Sequence, residues 1–113
     1  LYMNGREVFK HAIKRFPEVI MEALDHNNLS IDDISILVPH QANLRISQAI
    51  QKKLNLKDNQ IISNIQKYGN TTAASVPIAL CETIRDNKLK KGDILVLAAF
   101  GSGFSWGSAI LKW

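Results

Sequence analysis

Cysteine is nearly absent from this sequence of 113 residues, which contains a single one, Cys81. An internal disulfide is therefore excluded, and so is a zinc site built from several thiolates. His11, His26 and His40 also lack the spacing of a metal-binding motif. We therefore expect no metal, and the lone thiol fits a reducing compartment.

Long apolar runs are missing as well. The longest, residues 94–100, has the length of a strand and falls well short of the roughly 18 residues that suggest a membrane span. The sequence opens with neither Met nor a signal-like segment, so we expect it to belong to a longer chain. A hydrophobic content of 46% with 21% charged residues is typical of a globular protein. The length predicts one domain, residues 1–113.

Aromatic residues are few, at 7%, and acidic residues are outnumbered, so that the net charge is +4. A positively charged protein favours an acidic partner. Nucleic acid is a poor candidate, because the basic residues are scattered through helical patterns and are not interleaved with aromatic ones. We expect neither a nucleic acid nor a membrane as partner.

Apolar residues recur at steps of three and four in three segments, which predicts helices over residues 7–24, 42–54 and 71–86. Pro17 lies inside the first, so a kink or two helices meeting there is expected. Pro77 leaves the start of the third helix open. Either this helix begins at Thr71 or Thr72 and bends at Pro77, or it begins later with Ser75 as its cap.

Short apolar and β-branched runs predict four strands, over residues 34–38, 61–65, 94–100 and 105–113. The last two flank a tight turn and are expected to pair antiparallel. Because residues 94–100 are apolar on both faces, they predict a central buried strand. Together the elements predict the α/β class, a layered mixed sheet with flanking helices.

Three polar or glycine-rich segments, residues 39–43, 69–72 and 100–104, each follow a predicted strand. Ligands gather at the carboxyl ends of strands in open α/β sheets, so these segments could build one site. Each has a plainer reading on its own. His40 could do no more than cap the following helix, Asn70 could be a turn residue, and Gly101 with Gly103 could form a hairpin turn.

The same segments together resemble the β-ketoacyl-acyl carrier protein synthase III family, the initiating condensing enzymes of type II fatty acid synthesis. Residues 38–46 (VPHQANLRI) resemble its histidine motif, residues 68–77 (YGNTTAASVP) its asparagine motif, and residues 99–107 (AFGSGFSWG) its C-terminal glycine-rich turn. Residues 5–10 are similar to a segment that opens a helix of the same half. The resemblance implies a thiolase-like fold, of which this chain is most of the C-terminal half, with the N-terminal half missing.

The resemblance implies a Cys-His-Asn active site in which His40 and Asn70 are catalytic and the cysteine belongs to the missing half. Cys81 does not match that nucleophile, and we expect it to pack in the interior. In the family, acetyl-CoA acylates the cysteine. Malonyl-acyl carrier protein then loses CO₂ to give an enolate, which attacks the acyl carbonyl of the acyl-enzyme and releases the cysteine. His and Asn suit this step, because both are neutral donors for the developing negative charge.

Further roles follow from the resemblance alone. The backbone N–H of Ser102 matches an oxyanion-hole donor where many members have glycine, which requires that a serine can adopt the conformation. Phe100 matches a residue lining the site, and Asn43 one that contacts the pantetheine arm. Arg45 matches the carrier-protein docking arginine, and other basic positions at the entrance correspond to Lys10, Lys52 and Lys53. For any one lysine a solvated helix face is the favoured interpretation, whereas for Arg45 the functional one is favoured.

The resemblance implies acyl carrier protein as partner, acetyl-CoA as substrate rather than cofactor, a homodimer at full length, and bacterial cytoplasm or a plastid as location. Two other functions stay open. One is a free-standing, non-catalytic pairing module of thiolase fold, and the other a sibling condensing enzyme with a different starter. Plant-type polyketide synthases and hydroxymethylglutaryl-CoA synthases are such siblings, but the histidine and asparagine motifs fit synthase III better.

Overall fold

The computed structural model describes residues 2–113, which form a three-stranded mixed sheet with helices on both faces. In chain order the elements are α1 (Gly5–His26), β1 (Ile36–Pro39), α2 (Leu44–Lys53), α3 (Ile65–Tyr68), α4 (Ser75–Arg85), β2 (Ile94–Gly101) and β3 (Ser105–Lys112). The central strand β2 is parallel to β1 and antiparallel to β3. This confirms the layered α/β fold and the antiparallel pairing of the last two strands.

The core has two layers, because successive side chains of β2 point to opposite faces of the sheet. Val96 faces α1 and packs with Phe16 and Ile20, whereas Leu95 faces α4 and packs with Ala79. All five side chains are at most 2% exposed. Burying one large apolar side chain contributes about 1.5–3 kcal/mol, so the apolar periodicity of α1 and β2 accounts for the layered arrangement.

Helix α1 is continuous across Pro17, so the alternative of two separate helices is wrong. Proline lacks an N–H and leaves the carbonyl four residues earlier without its helical partner. That carbonyl belongs to Ile13, and Nζ of Lys53 lies 3.4 Å from its oxygen. A lysine of α2 thus solvates the carbonyl that Pro17 leaves unpaired.

The strand predicted over residues 61–65 does not form. Ile61 makes a single parallel bridge to Leu37 of β1, and the N–H of Ile62 donates to the Leu37 carbonyl at 3.0 Å. The next inward N–H, that of Asn64, donates instead to Oε1 of Gln41 at 3.0 Å. A buried side chain therefore takes the place of the neighbouring strand, and the chain turns into α3.

Helix α4 begins at Ser75 after a single 3-10 turn, Thr72–Ala74. Pro77 falls in its first turn, where a missing N–H costs no helical hydrogen bond. The later of the two predicted starts is therefore correct, but Ser75 does not cap the helix. Its hydroxyl accepts a hydrogen bond from the backbone N–H of Gln41 instead.

Cys81 is exposed, so the prediction that it packs in the interior is wrong. It follows the buried Ala79 by two positions, which places it about 200° around α4 from the face that meets the sheet. Because α4 has apolar residues on both sides, its sequence does not indicate which side packs against the sheet.

Candidate active site

An open cavity of about 930 Å³ lies at the carboxyl ends of β1 and β2. Its walls include His40 and Ala42 after β1, Asn70 and Thr72 before α4, and the glycine-rich turn after β2. The three segments singled out in the sequence therefore meet at one cavity. The asparagine segment, however, follows the short helix α3 and not a strand.

His40 is placed by the end of β1. Its backbone N–H donates to the Ala98 carbonyl at 2.8 Å and so extends the parallel ladder by one residue. The side chain is half-buried, and this burial lowers its pKa below the ordinary value for histidine. His40 is therefore a neutral imidazole at neutral pH, with one N–H that can donate to a ligand.

Asn70 is oriented by its own turn. The backbone N–H of Thr72 donates to Oδ1 of Asn70 at 2.9 Å, and Thr72 has a positive φ of 51°. Because a backbone N–H requires an acceptor, this contact fixes which side of the amide carries the oxygen. The NH₂ group then lies on the other side, where it can donate to a ligand in the cavity.

The glycine-rich turn, residues 101–104, joins β2 to β3 along the cavity wall. Its one positive φ is that of Gly103, at 142°. Ser102 has no positive φ, so the serine is accommodated without strain where many synthase III proteins have glycine. A Cβ on Gly103 would lie 2.9 Å from the backbone nitrogen of Ser105.

Aromatic side chains connect this turn to α1, an arrangement that the sequence analysis missed. Phe100 is buried, and its ring centroid lies 6.2 Å from that of Phe16, 5.1 Å from that of Phe104 and 6.3 Å from that of Trp106. The His11 ring lies 4.9 Å from Phe104. The low aromatic content gave no hint of the cluster, although half of the eight Phe, Tyr and Trp residues lie in it.

Asn43 and Arg45 flank the cavity at the start of α2. Asn43 is the N-cap of that helix, and its Oδ1 accepts from the N–H of Arg45 at 2.9 Å. Helix α2 thus begins later than predicted, because the side chain of Asn43 ends the preceding loop. Arg45 is exposed, and its neighbours Ala42 and Ile46 line the cavity.

The three predicted lysines are not gathered at the cavity. Lys10 pairs with Glu7, a cavity-lining residue, at 3.0 Å. Lys52 and Lys53 lie in the last turn of α2, about 15 Å along the helix from its N-cap. Lys53 lines a different groove, beside Pro17. The structure therefore brings Arg45 and Lys10 to the rim and leaves the other two away from it.

Glu82 of α4 anchors the segment before Asn70, and no sequence motif indicates this role. Oε1 of Glu82 accepts from Nζ of Lys67 at 2.7 Å and from the hydroxyl of Tyr68 at 2.6 Å. Oε2 accepts from the side chain of Asn64 at 2.9 Å. These donors, of which Lys67 has the largest effect, lower the pKa of Glu82 to about 2. The carboxylate therefore stays ionised throughout the physiological pH range.

Two kinds of feature are absent from residues 2–113. These residues contain no group of three or more side chains that could hold a metal ion. They also contain no helix long and apolar enough to cross a membrane.

Known proteins resemble this chain in sequence and in fold. The β-ketoacyl-acyl-carrier-protein synthase III of Clostridium perfringens is 50% identical over 110 residues, which are 97% of this chain and 34% of that protein. The crystal structure of the Aquifex aeolicus 3-oxoacyl-acyl-carrier-protein synthase III matches with a TM-score of 0.96 and 45% identity, over 99% of this chain and 36% of that one. The Thermus thermophilus synthase III matches with a TM-score of 0.96 and 43% identity, over 99% and 35%.

The chain thus spans about a third of the length of these relatives. The family described as 3-oxoacyl-(acyl-carrier-protein) synthase III C terminal matches residues 24–113. The resemblance seen in the sequence is confirmed, and the chain belongs to this synthase III C-terminal family.

Proposed function

We propose that this chain is the C-terminal part of a decarboxylating condensing enzyme, an acyltransferase that joins acetyl-CoA to malonyl-acyl carrier protein at the start of type II fatty acid synthesis. The observation that carries the proposal is the meeting of His40, Asn70 and the Ser102 turn at one cavity. Family membership supports it. The remaining part of the enzyme would supply the nucleophilic cysteine, so the chain alone is inactive.

Decarboxylation depends on His40 and Asn70. Loss of CO₂ from the malonyl group leaves negative charge on the thioester oxygen, and two positioned donors aimed at that oxygen lower the barrier. Each such donor contributes about 3 kcal/mol in comparable oxyanion holes. A neutral His40 and the NH₂ of Asn70 provide such donors, and neither opposes the enolate as a carboxylate would.

Acyl transfer to the cysteine uses a second oxyanion hole, to which the chain contributes the backbone N–H of Ser102. Phe100 closes the apolar side of the site, and the NH₂ of Asn43 is available to the pantetheine arm because its Oδ1 is engaged by α2. Acetyl-CoA is a substrate here, and the reaction needs neither a cofactor nor a metal. We place the full-length enzyme in the bacterial cytoplasm as a homodimer.

A chimera tests the function directly. This chain replaces the matching third of the Clostridium perfringens synthase III, and the purified chimera is assayed with acetyl-CoA and malonyl-acyl carrier protein. We expect condensation, and we expect none from the 113-residue chain alone. A folded, dimeric chimera without condensation would favour a non-catalytic pairing module. Condensation only with longer or branched acyl-CoA would identify a sibling enzyme with a different starter.

Arg45 is the proposed contact for the acidic carrier protein. In the chimera, Arg45→Glu should raise the KM for malonyl-acyl carrier protein about 10-fold with little change in kcat, because a charge at an interface rim acts mainly on association. The effect should shrink as salt rises from about 50 to 500 mM, since exposed charges are screened. Steady-state kinetics at the two salt concentrations measure both quantities.

The matched control is Lys91→Glu, which makes the same charge change at an exposed site. Lys91 precedes β2, so it lies at the end of that strand away from the cavity. We expect its KM to stay within about 2-fold of the parent chimera. Equal effects of the two substitutions would show that net charge, and not Arg45, governs docking.

A further inference from the structure

Gln41, the residue after His40, is 1% exposed, and both polar atoms of its side chain, as well as its backbone N–H, are hydrogen-bonded within the protein. Its Nε2 donates to the Pro39 carbonyl at 2.8 Å and to the Ile62 carbonyl at 3.1 Å. Its Oε1 accepts from the backbone N–H of Asn64 at 3.0 Å, and its own backbone N–H donates to the hydroxyl of Ser75. A buried amide with every group satisfied permits one geometry, because any shift leaves a polar group unpaired.

Two of these partners lie on either side of Asn70. Asn64 precedes the asparagine segment, and Ser75 follows it at the first residue of α4. Gln41 therefore holds both ends of the loop that carries Asn70, and it is joined covalently to His40. One residue connects the two side chains that face the cavity.

The network continues into α4. Besides its contact with Gln41, Asn64 donates through Nδ2 to Glu82 at 2.9 Å, and the same carboxylate accepts from Tyr68, directly before the Gly69–Asn70 turn. The loop between Asn64 and Ser75 is thus fixed from the histidine side by Gln41 and from the helix side by Glu82.

We propose that Gln41 is a positioning residue, which keeps His40 and the Asn70 loop in fixed register so that both donors reach one oxygen. This inference rests on the proposed function, since it assigns Gln41 to the decarboxylation step. Two donors that must meet at one atom tolerate little displacement, and an error of about 1 Å can cost about 100-fold in rate. Acyl transfer depends on the Ser102 turn, and among residues 2–113 the hydrogen-bond partners of Gln41 all lie outside that turn.

The test is Gln41→Met in the chimera, because methionine has a similar length but cannot form these hydrogen bonds. We expect malonyl-acyl carrier protein decarboxylation to fall about 100-fold, while acetyl transfer to the cysteine stays within about 2-fold. The control is Ser63→Ala, directly before Asn64, whose hydroxyl bonds to Gln66 and not to Gln41. A parallel loss in both half-reactions would show a purely structural role, and no loss in either would overturn the proposal.

A milder variant covers the case in which Gln41→Met does not fold. Ser75→Ala removes one bond to Gln41 and should reduce decarboxylation about 10-fold, again without an equal loss of acetyl transfer. The NMR titration of the His40 ring is read in the same samples. If the parent chimera lacks condensation, the proposed function fails. The NMR signal of the His40 ring then still tests whether Gln41 positions His40. An unchanged His40 shift and pKa in both variants would then refute the positioning role.

Discussion

Asn70→Asp should reduce malonyl-acyl carrier protein decarboxylation by the chimera about 1,000-fold and leave its fold intact. Aspartate keeps the oxygen that accepts from the N–H of Thr72 at 2.9 Å, so the turn survives. It loses the NH₂ donor and places a negative charge where the enolate oxygen develops its own. Both changes raise the barrier, and they act on the transition state more than on substrate binding.

Assays of the two half-reactions, run separately, measure whether decarboxylation alone is lost. We expect CO₂ release from malonyl-acyl carrier protein to fall and acetylation of the cysteine, followed by intact mass, to change by less than about 3-fold, because that step relies on the Ser102 N–H. Asn87→Asp is the matched control. It makes the same charge change in the exposed turn after α4, at a residue that does not line the cavity. Decarboxylation by Asn70→Asp at the control's rate would refute the proposed role of Asn70.

The sequence was sufficient for the parts of the fold that depend on local periodicity. The apolar stripe of α1 and the doubly apolar run of β2 decide which faces are buried, and both predicted their elements correctly. The histidine and asparagine motifs likewise predicted that His40 and Asn70 meet at one cavity. Strand direction explains this for His40, which follows β1, whereas Asn70 follows α3 and depends on the bonds of its segment to Gln41.

Several failures share one physical cause, contacts between residues distant in sequence. The run 61–65 has strand propensity, but the buried side chain of Gln41 captures its backbone. Pro17 should interrupt a helix, but the packing of α1 on the sheet keeps it continuous. Nothing local shows that Gln41 would bond Ser75 or that Glu82 would collect three donors. Lys53 matched a docking position, whereas its ammonium group lies beside the carbonyl of Ile13.

Gly103→Ala should abolish most acetyl transfer in the chimera, whereas Gly101→Ala, two residues away in the same turn, should be tolerated. Gly103 has a φ of 142°, and a Cβ there would lie 2.6 Å from Oγ and 2.9 Å from the backbone nitrogen of Ser105. Gly101 has no atom within 4 Å of the corresponding position and no positive φ. Substitution at Gly103 therefore forces the backbone to move, and the neighbouring N–H of Ser102 moves with it.

The aromatic cluster limits how this turn can relax, since Phe104 is held between His11 at 4.9 Å and Phe100 at 5.1 Å. We expect acetylation of the cysteine to fall about 100-fold in Gly103→Ala, as on loss of one oxyanion donor, and to stay within about 2-fold in Gly101→Ala. Adding Ser105→Gly removes the hydroxyl but neither the backbone nitrogen nor the φ requirement, so it should not restore activity. Rescue by Ser105→Gly would show that a side-chain collision alone was responsible. Equal acetylation in the two alanine variants would refute the role of the turn in acyl transfer.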